Sequence, residues 1–125
     1  GDRMFKIVHA ASGAAAGSVG YWDKDWRGET VYEVGWMVLP EFQGRGIALA
    51  ATAEAIERAA ADGTHKWIHA FPNVENAASN AICRKLGFTL LGSQEFEYPK
   101  GSFMVCNDWR RDTLPPWQQR PSQAE

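Results

Sequence analysis

Hydrophobic and polar positions along the chain follow two rhythms, one typical of strands and one typical of helices. Residues 31–39 (VYEVGWMVL) are rich in β-branched and aromatic residues and end at Pro40, which predicts a buried strand. From Gly44 onward, apolar side chains recur at helical spacing, at Leu49, Ala53, Ile56 and Ala60. Gly63 supplies a left-handed stop for this helix.

The same reading divides the rest of the chain. A second helix is predicted over 77–86, between an N-cap at Asn76 and the left-handed residue Gly87. Further strands are predicted at 5–11, 14–22, 66–71, 89–98 and 102–110, with a loop at 23–30. The order β-β-β-α-β-α-β-β predicts an α/β fold with a mixed sheet, in one domain over 1–112. The Pro- and Gln-rich residues 113–125 are expected to form a flexible tail.

Composition and charge exclude several classes of protein. The chain has 125 residues, 45% of them hydrophobic and 22% charged, as in a single soluble domain. The formal net charge of -2 and a longest basic run of only Arg110–Arg111 argue against a nucleic-acid partner. Apolar runs are too short to cross a membrane, and the first residues lack a secretory signal, so we expect a cytoplasmic protein.

Cysteines and histidines add no metal chemistry. Cys83 and Cys106 could form one bridge, but two reduced thiols are the expectation for a cytosolic protein. The three histidines lack ligand spacing supported by carboxylates, so no metal site is predicted.

The segment 38–48 (VLPEFQGRGIA) has the features of an anion site. Gly44 and Gly46 allow a group to approach the backbone closely. At a helix start the N–H groups have no internal partners, so those from Gln43 to Ala48 are expected to be free, with Arg45 adding charge. Such a turn suits a pyrophosphate. The P-loop and Rossmann patterns are absent, and a purely structural turn is the alternative.

The Gln43-x-x-Gly46-x-Ala48 pattern after Val38 resembles the acetyl-CoA motif of the GNAT superfamily of N-acetyltransferases. Residues 76–79 (NAAS) and 86–88 (LGF) are similar to that family's second helix and the strand after it. Residues 107–110 (NDWR) resemble the ending of bacterial members of unassigned substrate. The matches run over 31–110. They imply an acyl-CoA N-acyltransferase fold with acetyl-CoA as co-substrate and no metal.

The resemblance assigns binding roles to three segments. The pantetheine arm would be held through the backbone of Trp36, Met37 and Val38. The pyrophosphate would be cradled by Gln43, Gly44, Arg45, Gly46, Ile47, Ala48 and Leu49. Asn76 and the helix side of Ser79 and Cys83 would lie along the pantetheine and thiol, which fits the shared helix face of residues four apart.

The implied reaction is direct attack of a primary amine, of a small molecule or a protein, on the thioester. The Val38 N–H is the candidate oxyanion donor. Glu33 is the first candidate for general base and His69 the second, although either could be structural. Cys83 occupies a position where many members have a tyrosine. It could protonate the leaving thiolate, or only pack in the core.

Members of the family usually begin with a strand and two helices ahead of the hairpin that begins here near Phe5. The resemblance therefore implies an N-terminally short chain, either a fragment or a short variant completed by a partner, and Gly1 before a Met suggests an unnatural start. An exposed sheet edge would favour a homodimer. A CoA-binding module without turnover, and an acyltransferase for another acyl-CoA, are the alternative functions.

Overall fold

The computed structural model of the chain describes residues 3–97 and 99–119. These residues form six strands and two α-helices: β1 Arg3–Val8, β2 Ala15–Trp26, β3 Glu29–Val38, α1 Ile47–Asp62, β4 Trp67–Ala70, α2 Ala77–Lys85, β5 Thr89–Glu97 and β6 Phe103–Asp112. The predicted order of elements is confirmed. Predictions that involve Gly1, Tyr98 or 120–125 lie outside the described residues.

The strands form one mixed sheet in the order β1-β2-β3-β4-β6-β5. Neighbouring strands are antiparallel, except that β3 and β4 run parallel. The parallel pairing covers two residue pairs, Tyr32 with Ile68 and Glu33 with His69. Since β3 continues to Val38 and β4 ends at Ala70, the two strands part beyond Glu33.

One face of the sheet carries both helices. Side chains alternate between the two faces of a strand, and Tyr32, Val34 and Ile68 share the hydrophobic core with residues of α1 and with Cys83 of α2. The side chain of Asn80 also anchors α2 on this face, because its Oδ1 accepts a 2.8 Å hydrogen bond from Trp109 Nε1.

The opposite face of the sheet, which we call the second face, carries polar and aromatic side chains. It is defined by Trp22, Lys24, Trp26, Glu33, His69 and Phe71. Cross-strand register places Glu33 between Trp22 on one side and His69 on the other. Residues from three parts of the sequence therefore meet here.

The prediction of a loop over 23–30 is wrong. Strand β2 runs through to Trp26 and β3 begins at Glu29, so that only Arg27 and Gly28 lie between them. Both have positive φ, 51° and 86°, as in the two-residue turn of a tight hairpin. Aromatic and charged side chains alternate along the end of β2, and this period of two is what extends the strand.

Glycines with positive φ mark the C-terminal ends of both helices and the N-terminus of α1. Gly63 and Gly87 have φ of 68° and 83° at the ends of α1 and α2, as predicted. Helix α1 begins at Ile47 rather than at Gly44, because Gly46 at its N-cap is left-handed with φ 75°. Beyond β6, Thr113 is buried and its N–H donates to the carbonyl of Lys66 at 2.9 Å.

Candidate functional site

A cleft opens where β3 parts from β4. It has a volume of about 190 Å³ and is lined by 33–36 of β3, 70–72 at the end of β4, and Asn76 and Ser79 at the start of α2. The last pair of the β3–β4 ladder, Glu33 with His69, closes one end of it. This cleft, named the strand cleft below, brings together Glu33, Trp36, Asn76 and Ser79 of the predicted site. The predicted pyrophosphate segment 43–49 is not among its described lining residues.

Alternate residues at the end of β3 direct their backbone groups away from β2, toward the side where β4 pairs. The N–H of Leu39 donates to the carbonyl of Ala16 at 2.7 Å, so Leu39 faces β2. Because successive residues of a strand direct their N–H and C=O groups to opposite sides, those of Trp36 and Val38 point away from β2. Among the three residues predicted to hold the pantetheine arm, Met37 directs its backbone toward β2.

The glycine turn after β3 is open. Gly44 and Gly46 have φ of 78° and 75°, and a Cβ at either position would meet no described atom within 4 Å. The first hydrogen bond of α1 is donated by Ala50 N–H to the Gly46 carbonyl, at 3.1 Å. The N–H groups of Ile47, Ala48 and Leu49 therefore lack partners within the helix, and in the described chain no side chain caps its start.

At Gln43 the prediction of a free N–H is wrong. That group donates to the carbonyl of Pro40 at 3.2 Å. Gln43 instead acts through its side chain, whose Nε2 donates to the Val38 carbonyl at 2.9 Å. The guanidinium of Arg45 lies 5.6 Å from the ring centroid of Phe42 and remains exposed at the turn.

Asn76 is the N-cap of α2, as predicted, and its Oδ1 accepts a 3.0 Å hydrogen bond from the N–H of Ser79. Both residues line the strand cleft.

Cys83 is not among the described residues that line the strand cleft. Its side chain is fully buried in the core, and burial raises the pKa of the thiol to about 12. A thiol with such a pKa is a poor proton donor to the CoA thiolate. The free thiol of CoA is an ordinary thiol, and its pKa is far lower. The structure thus separates Cys83 from the other predicted site residues and shows it packing.

Glu33 lies at the closed end of the strand cleft. Its carboxylate accepts a 3.1 Å hydrogen bond from Trp22 Nε1 and lies 3.6 Å from the ammonium of Lys24. The side chain is 21% exposed. A half-buried carboxylate held in this way is both oriented and accessible from the cleft.

His69 is the neighbour of Glu33 across the sheet but is engaged elsewhere. Its Nδ1 lies 2.6 Å from Asp108 Oδ1, and Trp26 Nε1 donates to the other oxygen of Asp108 at 3.1 Å. The ring is buried and stacks on Phe71 with centroids 5.7 Å apart. His69 lines a separate cavity of about 100 Å³, with Trp26 and Asp108 among its walls. These contacts are those of a satisfied core histidine.

The sequence interpretation missed the contribution of β2 to this site. Trp22 and Lys24 contact Glu33, yet Lys24 had been assigned to a loop. The alternation of Trp22, Lys24 and Trp26 with aspartates was the available signal.

Two kinds of feature are absent from the part of the chain that the structure describes. Within 3–97 and 99–119, no three His, Cys, Asp or Glu side chains gather as a metal site would require. None of the helices in these same ranges is long and apolar enough to span a membrane.

Comparison with known proteins identifies a family for this chain. Residues 1–89 match the sequence family described as the acetyltransferase (GNAT) domain. No match was found among curated proteins.

Three solved structures illustrate the likeness of the fold. An N-acetyltransferase from Staphylococcus aureus Mu50 has a TM-score of 0.75 and 18% identity, over 90% of this chain and 68% of that one. The ribosomal-protein-S5-alanine acetyltransferase of Vibrio fischeri has a TM-score of 0.74 and 21% identity, over 88% and 61%. The Salmonella typhimurium protein yncA, solved with its cofactor acetyl-CoA, has a TM-score of 0.69 and 21% identity, over 89% and 64%. The chain thus spans about three fifths of the length of the last two proteins.

Proposed function

Because the chain belongs to the acetyltransferase (GNAT) family, we propose that it binds acetyl-CoA and transfers the acetyl group to a primary amine by direct attack. One observation carries the proposal. Strands β3 and β4 separate beside the N-terminus of α1, which follows a glycine and has no side-chain cap. A thioester arm and a pyrophosphate need these two features side by side.

The residues present fit acetyl-CoA as a substrate. The N–H groups of Ile47, Ala48 and Leu49, at the positive end of the helix dipole, suit the pyrophosphate oxygens. The absence of side chains at Gly44 and Gly46 leaves room for a close approach. The amides of a pantetheine arm could pair with the N–H and C=O groups of Trp36, which point away from β2, as an added strand would. The protein yncA, which has a similar fold, was solved with acetyl-CoA, and this supports acetyl-CoA as the ligand.

The chemistry requires removal of a proton from the amine. An alkylammonium has no lone pair, so a carboxylate at the end of the cleft must accept its proton, directly or through water. The amine nitrogen then forms a bond to the thioester carbon, and the carbon–sulfur bond breaks as the thiolate leaves. The nitrogen gives its second proton to water, so that a neutral amide remains. The Val38 N–H is the candidate donor to the oxyanion that develops between these events.

Glu33 is better placed than His69 to act as this base. Glu33 lines the strand cleft, whereas His69 lines the neighbouring cavity and directs Nδ1 to Asp108. For the departing thiolate we assign no acid, because the thiol of Cys83 is buried away from the cleft. A thiolate is stable enough near neutral pH to leave before water protonates it.

A CoA-binding module without turnover is the second candidate. One observation favours it, namely that Trp22 and Lys24 already engage the carboxylate of Glu33. Both contacts are made to Oε1, so one oxygen of this carboxylate is already occupied by groups of the protein itself.

Titration with acetyl-CoA by calorimetry, followed by an assay of free CoA with a panel of small and peptide amines, separates the candidates. Binding with amine-dependent release of CoA supports the acetyltransferase. Binding without release supports the module. Failure to bind acetyl-CoA contradicts both.

A further inference from the structure

The ammonium of Lys24 sits in a box of aromatic rings on the second face of the sheet. Its Nζ lies 5.5 Å from the ring centroid of Trp26, 5.2 Å from that of Phe71 and 5.7 Å from that of Phe96. The fourth side is the carboxylate of Glu33, at 3.6 Å. We call this arrangement the lysine box.

The lysine box is a built site rather than a chance contact. The rings of Trp26, Phe71 and Phe96 come from segments far apart in the sequence and also contact one another, with centroids 4.9 to 5.7 Å apart. Cations within about 6 Å of a ring face are attracted to it, and three rings share one cation here. The Lys24 side chain is only 26% exposed, so its long alkyl stem is held in place.

The lysine box adjoins the strand cleft. Two of its walls, Glu33 and Phe71, are also walls of the cleft. A primary ammonium of this chain thus lies next to the carboxylate that would take the proton from an acceptor amine. From this arrangement we propose that Lys24 is a site of self-acetylation, modified by acetyl-CoA bound in the cleft of the same molecule. The inference rests on the proposed function.

The step balances without any further reactant. The Lys24 ammonium gives one proton to Glu33, and its nitrogen then attacks the thioester carbon. A carbon–nitrogen bond forms, the carbon–sulfur bond breaks, and CoA leaves as a thiolate. The second nitrogen proton passes through water to the departed thiolate, and a neutral amide remains. No electron transfer takes place.

The rings both help and oppose this step. They favour the charged ammonium, so proton transfer to Glu33 is the part that they resist. They also fix the position of the nitrogen. A separate amine would lose translational and rotational entropy on binding, whereas the Lys24 side chain is already in place. The product amide keeps its apolar contacts with the rings while the ion pair to Glu33 disappears.

Lys66 provides a matched comparison within the same chain. Its ammonium also lies over a ring, 4.9 Å from the centroid of Trp67, and 4.0 Å from a carboxylate oxygen of Asp112. It is far more exposed, at 66%. Its contacts are at the start of β4, whereas the strand cleft lies beyond the end of that strand. A reagent in solution should therefore acetylate the more exposed Lys66 faster, whereas acetyl-CoA bound in the cleft should acetylate Lys24 faster.

The test is to incubate the whole chain with acetyl-CoA and follow acetylation of the two lysines by peptide mass spectrometry. We expect Lys24 to react at least about tenfold faster than Lys66, as pre-positioning predicts. With acetic anhydride in place of acetyl-CoA, the order should reverse. The first-order rate constant at Lys24 should stay unchanged over a tenfold range of protein concentration. Equal or faster modification of Lys66 by acetyl-CoA, or a rate that rises with protein concentration, would overturn the inference.

Two variants sharpen the test. Glu33→Gln should lower the Lys24 rate at least tenfold and leave the Lys66 rate unchanged, whereas Asp112→Asn should leave the Lys24 rate unchanged. Phe96→Leu keeps an apolar side chain but removes one ring face, and should also slow Lys24 while circular dichroism shows an unchanged fold. Unchanged Lys24 rates in both Glu33→Gln and Phe96→Leu would contradict the role of the lysine box.

The same samples keep this inference separate from the proposed function. Release of CoA with an added amine, without acetyl-Lys24, overturns self-acetylation and leaves the acetyltransferase standing. Absence of both acetyl-Lys24 and amine-dependent CoA release contradicts both proposals.

Discussion

The side chain of Gln43 donates a 2.9 Å hydrogen bond from its Nε2 to the carbonyl oxygen of Val38. This contact ties the turn that precedes α1 to the last residue of β3. The Val38 carbonyl points away from β2, and this bond satisfies that acceptor. It also fixes the distance between the proposed pyrophosphate and pantetheine sites.

Replacing Gln43 with Leu should loosen this connection without unfolding the chain. One net hydrogen bond contributes about 1 kcal/mol, which corresponds to roughly fivefold weaker binding of acetyl-CoA. Calorimetric titration measures the effect. Gln94→Leu is the control, since the side chain of Gln94 contacts Arg27 at an exposed site. Equal affinities for acetyl-CoA in the two variants would contradict the role given to Gln43.

Gly46→Trp should abolish binding of acetyl-CoA. The φ of 75° makes any side chain strained there by about 1 to 2 kcal/mol, and the indole would fill the space at the helix start. Gly101→Trp, at the tip of the hairpin between β5 and β6, matches both the positive φ and the open surroundings. The two variants should lose similar stability in urea titrations, while only Gly46→Trp loses binding. Wild-type affinity in Gly46→Trp would refute the anion site.

Glu33→Gln should reduce turnover far more than affinity. Loss of a general base lowers kcat by about 10²- to 10⁴-fold, while acetyl-CoA binding depends on groups elsewhere in the cleft. The control is Glu54→Gln, because Glu54 lies on the exposed side of α1 and pairs with Arg58. Steady-state rates across pH, with a primary amine as acceptor, provide the measurement. Identical turnover of wild type and Glu33→Gln over that range would remove Glu33 from the mechanism.

The buried thiol of Cys83 predicts how stability depends on pH. In the unfolded chain this thiol ionises near its ordinary pKa of 9.0, whereas burial raises the pKa in the folded chain to about 12. Below pH 9 both states keep the proton and stability is unaffected. Between pH 9 and 12 the unfolded state loses its proton first, so this group lowers the free energy of unfolding by up to about 1.4 kcal/mol per pH unit.

Cys83→Ala isolates that contribution. The variant should be about 1 to 2 kcal/mol less stable than wild type at pH 8, because a buried atom is removed. The difference should shrink toward zero by about pH 10.5, since the variant has no thiol to ionise. Urea unfolding at both pH values gives the comparison. A difference that stays constant with pH would show that Cys83 is not kept protonated by burial.

Much of this fold follows from local signals in the sequence. The strand before Pro40, the stop at Gly63 and the cap at Asn76 each depend on residues close together along the chain, and each is where the pattern predicted it. Backbone conformation at a cap or a glycine is decided by sterics and hydrogen bonds within a few residues. Such features are therefore accessible without a structure.

The details of the site depend on contacts that no local pattern contains. The hairpin turn at Arg27 was missed because arginine is an unusual residue at positive φ, where Asn, Asp or Gly is the normal signal. The lysine box draws Lys24 and Phe96 together across the sheet, and their sequence positions say nothing of this. The family resemblance predicts Cys83 along the pantetheine and thiol, but the packing of α2 against the core buries its side chain.

The outer edges of this sheet are strands β1 and β5. The separation of β3 from β4 adds an inner edge, called the inner rim, inside the sheet. An outer edge offers its backbone to any passing chain and so invites aggregation. The inner rim is sealed at one end by the Glu33–His69 pair, and a foreign strand would have to push its side chains between two strands of a folded molecule. A slender ligand with its own amides meets no such obstacle. The backbone hydrogen-bonding groups of the inner rim are thus accessible to a small ligand but not to a strand of another protein.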